Sequence, residues 1–135
     1  MIVVDSNLLA YLALRTPTFS ELAEKVLLRD DEWVSPELWR YEVLNVFCTY
    51  IRDGLLQRDT AEKGIDYLDE VIGPRSFVVD AKKVLASSEK TKCSGYDSHF
   101  VVLAEELGLK LVTHDKRVLL HAPHVAVSPE QFLAA

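Results

Sequence analysis

The feature that most constrains the fold is a set of short apolar runs that alternate with segments of helical pattern. The runs lie at residues 2–4, 33–34, 77–79, 109–112 and 125–127. Runs this short and this apolar are typical of strands buried on both faces. Strands that alternate with helices favour a parallel sheet between two layers of helices. We therefore predict a three-layer α/β/α fold with a central, mostly parallel sheet of four or five strands.

Helix start and stop signals fill the intervals between these runs. Ser35 followed by Pro36 is a typical helix start, with serine as the cap and proline at the first helical position. Gly54 and Gly108 are suited to helix ends. The predicted helices cover residues 6–14, 19–30, 36–53, 60–72, 81–88 and 95–107, and short helices begin near 116 and 129.

Length and composition indicate one soluble domain spanning residues 1–135. The chain is 49% apolar and 27% charged, which fits a globular protein rather than a disordered chain. No apolar run approaches the roughly 18–20 residues that a membrane span needs. Met1 is followed at once by an apolar strand, without the basic region of a signal peptide. Cys48 and Cys93 do not form a disulfide framework, so we expect a cytoplasmic protein that does not enter a membrane.

The charge is unevenly distributed along the chain. The net charge of −6 argues against binding nucleic acid by simple charge attraction. Residues 1–72 contain 7 Lys+Arg and 14 Asp+Glu, whereas residues 73–135 contain 8 and 7. The second half could therefore present a local basic face, or its lysines could be ordinary solvated side chains. The candidates for that face are Lys82, Lys83, Lys90, Lys92, Lys116 and Arg117.

Four acidic residues stand where the predicted fold brings polar groups to one edge of the sheet. Asp5 and Asp115 follow the first and fourth strands, at the edge where parallel sheets bind ligands. Asp97 opens the helix 95–107, and Glu42 lies with Asn45 beside an apolar helix stripe. Each acid alone also has a structural interpretation. The three aspartates could serve helix starts, and Glu42 could reach solvent at the edge of its stripe.

Taken together, the four acids predict a metal site. Clustered carboxylates repel one another and raise one another's pKa, and an unpaired buried charge costs several kcal/mol. A divalent cation removes both problems. Oxygen ligands suit Mg²⁺ or Mn²⁺ better than zinc.

The chain resembles the PIN domain family and, within it, the VapC-like toxin ribonucleases of type II toxin–antitoxin pairs. The resemblance is carried by the segments IVVDSNLLAYL, ELWRYEVLNVF, SGYDSHFVVLAEELGLKLVTHDKRV and FLAA. It implies that the metal ligands and catalytic residues are Asp5, Glu42, Asp97 and Asp115. It also implies supporting roles for Ser6, Asn45 and Thr113. The chain departs from the family pattern at His114, where a small residue is usual, and at Gly95, where the family varies.

This resemblance implies an endoribonuclease that uses Mg²⁺ or Mn²⁺ and leaves 5′-phosphate and 3′-hydroxyl products. It also implies an RNA substrate, a cognate antitoxin protein and a homodimer. Two alternatives stay open. One is a catalytically silent PIN-like module that binds RNA or protein, and the other is a different Mg²⁺-dependent phosphohydrolase. The second is disfavoured because a haloacid-dehalogenase-like enzyme needs an aspartate where Asn7 stands, and a receiver domain needs an acid where Val4 stands.

Two aromatic residues flank Glu42. We expect Trp39 and Tyr41 to pack in the core or in a dimer interface, with base stacking as the alternative. We expect Cys48 to be a small buried residue and Cys93 to be a loop thiol. His121 and His124 are predicted to be ordinary surface residues, whereas His114 is close enough to the acids in sequence to touch a phosphate.

Overall fold

Five parallel strands form the centre of the protein. The computed structural model describes all residues from Met1 to Ala135. The strands are β1 (Ile2–Val4), β2 (Trp33–Pro36), β3 (Ser76–Phe77), β4 (Leu111–Val112) and β5 (Ala126–Val127). Their order across the sheet is β3-β2-β1-β4-β5, and every neighbouring pair is parallel. The predicted parallel sheet is confirmed.

Helices cover both faces of this sheet. They are α1 (Ser6–Leu14), α2 (Pro17–Arg29), α3 (Leu38–Arg52), α4 (Arg58–Ile72), α5 (Ala81–Thr91), α6 (Gly95–Leu107), α7 (Lys116–His121) and α8 (Pro129–Ala134). Side chains alternate along β1, so Ile2 and Val4 join a core formed with α1–α4. Val3 joins a second core on the other face, formed mainly with α6 and α7. The three-layer architecture is therefore confirmed.

The start of α3 differs from the prediction. Ser35 does not cap this helix, because it lies inside β2 and α3 begins at Leu38. The Ser35 N–H donates to the carbonyl of Arg75 at 3.1 Å, and its hydroxyl donates to the carbonyl of Val4 at 2.7 Å. Ser35 therefore belongs to the sheet, and Glu37 takes the cap position of α3.

Other boundaries shift by a few residues. Helix α2 begins at Pro17 rather than at residue 19, since proline is well suited to the first turn of a helix. Helix α4 begins at Arg58 rather than at 60, and α5 continues to Thr91 rather than ending at 88. Strands β3 and β4 are shorter than the apolar runs that predicted them.

The aromatic and cysteine predictions have mixed outcomes. Trp39 is buried in the first core, as expected, whereas Tyr41 is 62% exposed. Cys48 is exposed, so the prediction of a buried residue was wrong. Cys93 lies between α5 and α6, but it is buried. None of the helices combines the length and apolar character that a bilayer crossing requires.

Candidate active site

The acidic residues lie around the carboxyl edge of the sheet. From β1 the chain builds outward through β2 to β3, whereas β4 and β5 lie on the other side of β1. The crevice between β1 and β4 is therefore the switch point where ligands bind in such sheets. Asp5 follows β1, Asp115 precedes α7 just beyond β4, and Asp97 lies in the first turn of α6. Glu42 lies in the second turn of α3, the helix that follows β2.

Asp5 is the deepest of the four acids. It is only 7% exposed, and its carboxylate accepts two hydrogen bonds. Oδ1 accepts from the Ser6 N–H at 2.7 Å, and Oδ2 accepts from the Thr113 hydroxyl at 2.6 Å. Burial raises the pKa of Asp5 to about 7, with Asp97 and Glu42 adding to the rise and the Thr113 bond opposing it. The protein thus holds a carboxyl group of near-neutral pKa between its two central strands.

Ser6 links Asp5 to Glu42. Its backbone N–H binds Asp5, and its side-chain hydroxyl donates to Glu42 Oε1 at 2.7 Å. Burial is the main cause that raises the pKa of Glu42, while the Ser6 hydrogen bond opposes the rise. Asp97 raises this pKa further and His99 lowers it, so both residues lie close to Glu42. One serine therefore fixes the relative positions of two acids that are 37 residues apart in sequence.

Asp97 and Asp115 differ in how their side chains are used. The cap of α6 is Ser94, whose hydroxyl accepts from the Asp97 N–H at 3.1 Å. The Asp97 carboxylate is therefore not needed as the helix cap. Burial and then Asp115 raise the pKa of Asp97, while a hydrogen bond with Ser94 and then the charge of Arg117 lower it. Asp115 does cap its helix, because Oδ1 accepts from the N–H groups of Arg117 and Val118 at 2.8 and 3.3 Å.

Asp5, Glu42, Asp97 and Asp115, together called the acidic cleft, lie close enough to influence one another's pKa. None of the ion pairs in the structure includes any of them. As the side chains stand, no three acidic, histidine or cysteine groups converge into a complete metal-ligand set. The donor chemistry nevertheless fits a hard divalent cation, since oxygen atoms that repel one another are what such an ion binds. Asn45, predicted as a supporting residue, is exposed and makes no side-chain hydrogen bond to an acid.

One contact near the cleft was not predicted. His114 Nε2 lies 2.8 Å from Glu130 Oε1, which joins the β4–α7 loop to α8. The ring also packs edge-on against Tyr11 and Phe19. His114 is thus held by protein groups on several sides. No local pattern in the sequence connects residue 114 to residue 130, so only the fold reveals this pair.

The fold and the acidic cleft together define a small α/β/α domain whose polar site is at the switch point of its sheet. The PIN domain matches residues 2–124, and the chain belongs to the PIN domain family. Ribonuclease VapC3 of Pyrobaculum aerophilum is 33% identical over 121 residues, which are 87% of this chain and 91% of that protein. The resemblance drawn from the sequence motifs is confirmed.

Solved structures support the same fold. The crystal structure of PAE2754 from Pyrobaculum aerophilum superposes with a TM-score of 0.71 at 24% identity, covering 98% of this chain and 93% of that one. The crystal structure of FitAcB from Neisseria gonorrhoeae superposes with a TM-score of 0.70 at 13% identity, covering 96% and 99%. At these identities the likeness shows the fold alone.

Proposed function

We propose that this protein is a divalent-metal-dependent endoribonuclease and the toxin of a toxin–antitoxin pair. The observation that carries the proposal is the cleft of four carboxylates with no cationic partner at the switch point of the sheet. Membership of the PIN domain family and similarity to a protein named as a VapC ribonuclease support it. We propose that residues 1–135 act as one domain and that the protein works in the cytoplasm.

Asp5, Glu42, Asp97 and Asp115 would hold Mg²⁺ or Mn²⁺. When bound, such an ion supplies a water of lowered pKa and screens the charge that develops on phosphoryl oxygens. The proposed products carry a 5′ phosphate and a 3′ hydroxyl. Because a cation offsets the repulsion among the carboxylates, it would favour a closer arrangement of the partly buried acids.

The surrounding hydroxyl groups keep the acids in position. Thr113 is fully buried and donates to Asp5, so this carboxylate cannot turn away from the cleft without losing a short hydrogen bond. Ser6 does the same for Glu42. Ligand side chains that are already held in place need to move less when metal and substrate bind. This pre-organisation is the main contribution that a protein makes to such sites.

Basic residues at the edge of the cleft would bind the RNA backbone. Lys116 and Arg117 open α7 directly after Asp115. Arg117 lies near enough to Asp97 to lower its pKa, after the larger effects of burial and Asp115 raise it. The net charge of −6 makes general attraction to RNA weak, so we propose that phosphate contacts are local. Lys83 contributes less, since it pairs with Glu106 at 2.7 Å.

The test is cleavage of total RNA by the purified chain, free of any partner, with Mg²⁺ or Mn²⁺. We expect Asp97→Asn to reduce cleavage at least about a hundred-fold, as loss of a group that stabilises charge in the transition state does. Asp59→Asn, an exposed acid on α4, is the matched control and should cleave normally. A wild-type chain that binds RNA without cutting it would instead favour a catalytically silent binding module. Cleavage that continues in the presence of EDTA would contradict the metal requirement.

Metal binding is tested separately from activity. Mg²⁺ should raise the melting temperature of the wild-type chain and should raise it less, or not at all, in Asp5→Asn. An equal rise in both proteins would show that the ion binds away from the cleft.

A groove beside the cleft is the proposed contact for the antitoxin. Its volume is about 660 Å³, and its wall includes Asn7, Tyr11, Phe19 and Tyr50 from α1, α2 and α3. Apolar grooves of this kind take up an extended or helical segment of a partner. We further propose that the toxin is a homodimer. Sedimentation at micromolar concentration, alone and with the product of the neighbouring reading frame, tests both points. A monomer that ignores that product would contradict both and leave the nuclease chemistry standing.

A further inference from the structure

The loop between β4 and α7 consists of Thr113, His114 and Asp115, and it carries one acid of the acidic cleft. Thr113 is anchored to the sheet, because its N–H donates to the carbonyl of Val127 at 3.0 Å and its hydroxyl donates to Asp5. Asp115 is anchored to α7 through Oδ1, whereas its Oδ2 takes no part in the helix cap. The place of that second oxygen in the cleft therefore depends on how the loop is held.

His114 joins this loop to the C-terminal helix α8. Its Nε2 lies 2.8 Å from Oε1 of Glu130, in the first turn of α8. The ring also packs edge-on against Tyr11 and Phe19, with ring centroids 5.8 and 5.4 Å away. A hydrogen bond is more directional than an edge-on aromatic contact, so Glu130 fixes where the ring points.

Helix α8 is a firm support for this contact. A capping box closes its first turn. At its other end, Arg29 of α2 donates to the carbonyl groups of Leu133 and Ala135 at 3.0 and 3.2 Å. The backbone of Glu130 is therefore held independently of His114, and the contact fixes the loop to the helix rather than the helix to the loop.

The contact is suited to positioning rather than to stabilising the fold. The side chain of His114 is 19% exposed and that of Glu130 is 57% exposed. A pair as exposed as this one contributes little to the free energy of unfolding. It still narrows the range of positions that the loop adopts. A binding site loses apparent affinity in proportion to the fraction of molecules that leave the competent arrangement.

We propose that Glu130 is a positioning residue, which acts through His114 to keep Asp115 in its place in the acidic cleft, so that divalent-metal binding depends on it. The inference rests on the proposed function, of which metal binding at the cleft is a part. Asp115 lies close enough to Asp97 to raise its pKa, after the larger effect of burial. A small displacement of Asp115 therefore changes the set of oxygen atoms that is offered to a cation.

The first test measures metal binding without RNA. Mn²⁺ is titrated into the full-length chain, and the free ion is measured by electron paramagnetic resonance. We expect Glu130→Ala to weaken Mn²⁺ binding about three- to ten-fold. Loss of a direct partner of a metal ligand costs about 10–100-fold, and the effect here is smaller because Glu130 acts on Asp115 through the loop.

The conservative variant separates the hydrogen bond from the charge. Glu130→Gln keeps an oxygen that accepts from His114 and should recover most of the Mn²⁺ affinity. A glutamine variant that binds as weakly as the alanine variant would show an effect of charge alone and would overturn the positioning role.

Two control variants separate positioning from a merely structural role. Glu105→Ala breaks the other histidine–glutamate pair, in which His124 Nε2 lies 3.7 Å from Glu105, near the end of α6. Arg29→Ala loosens the end of α8 without removing the contact at its start. Both variants should bind Mn²⁺ as the wild type does. The inference is overturned if Glu130→Ala also binds as the wild type does, or if Arg29→Ala weakens binding as much as Glu130→Ala.

Amide hydrogen exchange in EDTA separates failure of this inference from failure of the proposed function. The Asp115 N–H donates to Thr113 Oγ1 at 3.0 Å, so its exchange reports opening of the loop. We expect this exchange to be several-fold faster in Glu130→Ala than in the wild type or in Glu105→Ala. A wild type that binds Mn²⁺ and cuts RNA, with equal affinity and equal exchange in Glu130→Ala, overturns the positioning role alone. A wild type that neither binds Mn²⁺ nor cuts RNA contradicts the proposed function, and faster exchange in Glu130→Ala then still supports the hold of Glu130 on the loop.

Discussion

The two edges of the central sheet treat charge in opposite ways. At the amino edge the N-terminal ammonium group of Met1 lies 2.6 Å from Asp30, and both are partly exposed. At the carboxyl edge Asp5 is buried and has no cationic partner within ion-pair distance. The ion pair and the buried acid lie at opposite ends of the same short strand, β1. The comparison shows that burial of charge in this protein is local to one edge rather than a general property of its packing.

The difference has an energetic meaning. A paired charge at the surface contributes little to stability in either direction, whereas a buried charge without a partner opposes folding. At the carboxyl edge, the stability provided by the two hydrophobic cores therefore offsets the cost of the buried acids. Sites of function commonly reduce stability in this way.

The largest expected effect comes from Asp5. Its pKa rises from 3.8 to about 7 in the folded protein because of burial, so the unfolded chain releases this proton at a lower pH than the folded one. The stability contribution of the protonated group is fully present below pH 4 and is lost as the pH rises to about 7. We expect the metal-free wild type to lose up to about 4 kcal/mol over this range.

Asp5→Asn should remove most of this decline. The measurement is urea denaturation in EDTA at several pH values between 4 and 8. If the variant and the wild type lose stability in parallel with rising pH, Asp5 is not the group responsible.

Thr113 is expected to have the next largest effect. Its hydroxyl donates to Asp5 and accepts from the Asp115 N–H at 3.0 Å. Thr113→Val leaves both partners without this bond and should reduce the free energy of unfolding by about 1–3 kcal/mol at pH 7.5. Thr113→Ser keeps the hydroxyl and should recover most of the loss. A serine variant as unstable as the valine variant would mean that the methyl group, not the hydrogen bond, is what matters.

Glu42 should affect activity more than stability. Glu42→Gln removes a half-buried charge near Asp97 and keeps an oxygen that accepts from Ser6. The free energy of unfolding of the metal-free protein should stay the same or rise by about 1 kcal/mol, because the charge is costly to bury. RNA cleavage should fall sharply. A loss of several kcal/mol would show instead that Glu42 is a structural residue.

Sequence patterns predict where Asp5 and Asp115 lie relative to the strands, but they do not predict how these side chains are held. The short apolar runs place Asp5 and Asp115 beyond strand ends, and this position follows from topology alone. The hydrogen bond between Thr113 and Asp5 joins residues 108 apart, and only the pairing of β1 with β4 brings them together. Contacts of this kind have no local pattern.

Local sequence signals also gave wrong predictions at positions where the sheet or the core decides how a residue is used. Ser35 has the expected residue type and spacing for a helix cap, but its N–H and hydroxyl are used by neighbouring strands. Trp39 and Tyr41 are two residues apart on α3 and face different directions, so one is buried and the other is exposed. Their residue types do not reveal which of them faces the core.

The smallest expected effect lies at the opposite edge of the sheet. Asp30→Asn removes the ion pair with the N-terminal ammonium group, while the asparagine oxygen can still accept from the Glu32 N–H, now at 3.0 Å. Because both partners are partly exposed, the free energy of unfolding should fall by only about half a kcal/mol, and by less in 1 M salt. Urea denaturation at pH 7, in low and in high salt, measures this loss. A loss of 2 kcal/mol or more would mean that the amino edge also depends on a buried charge, and the contrast between the two edges would no longer hold.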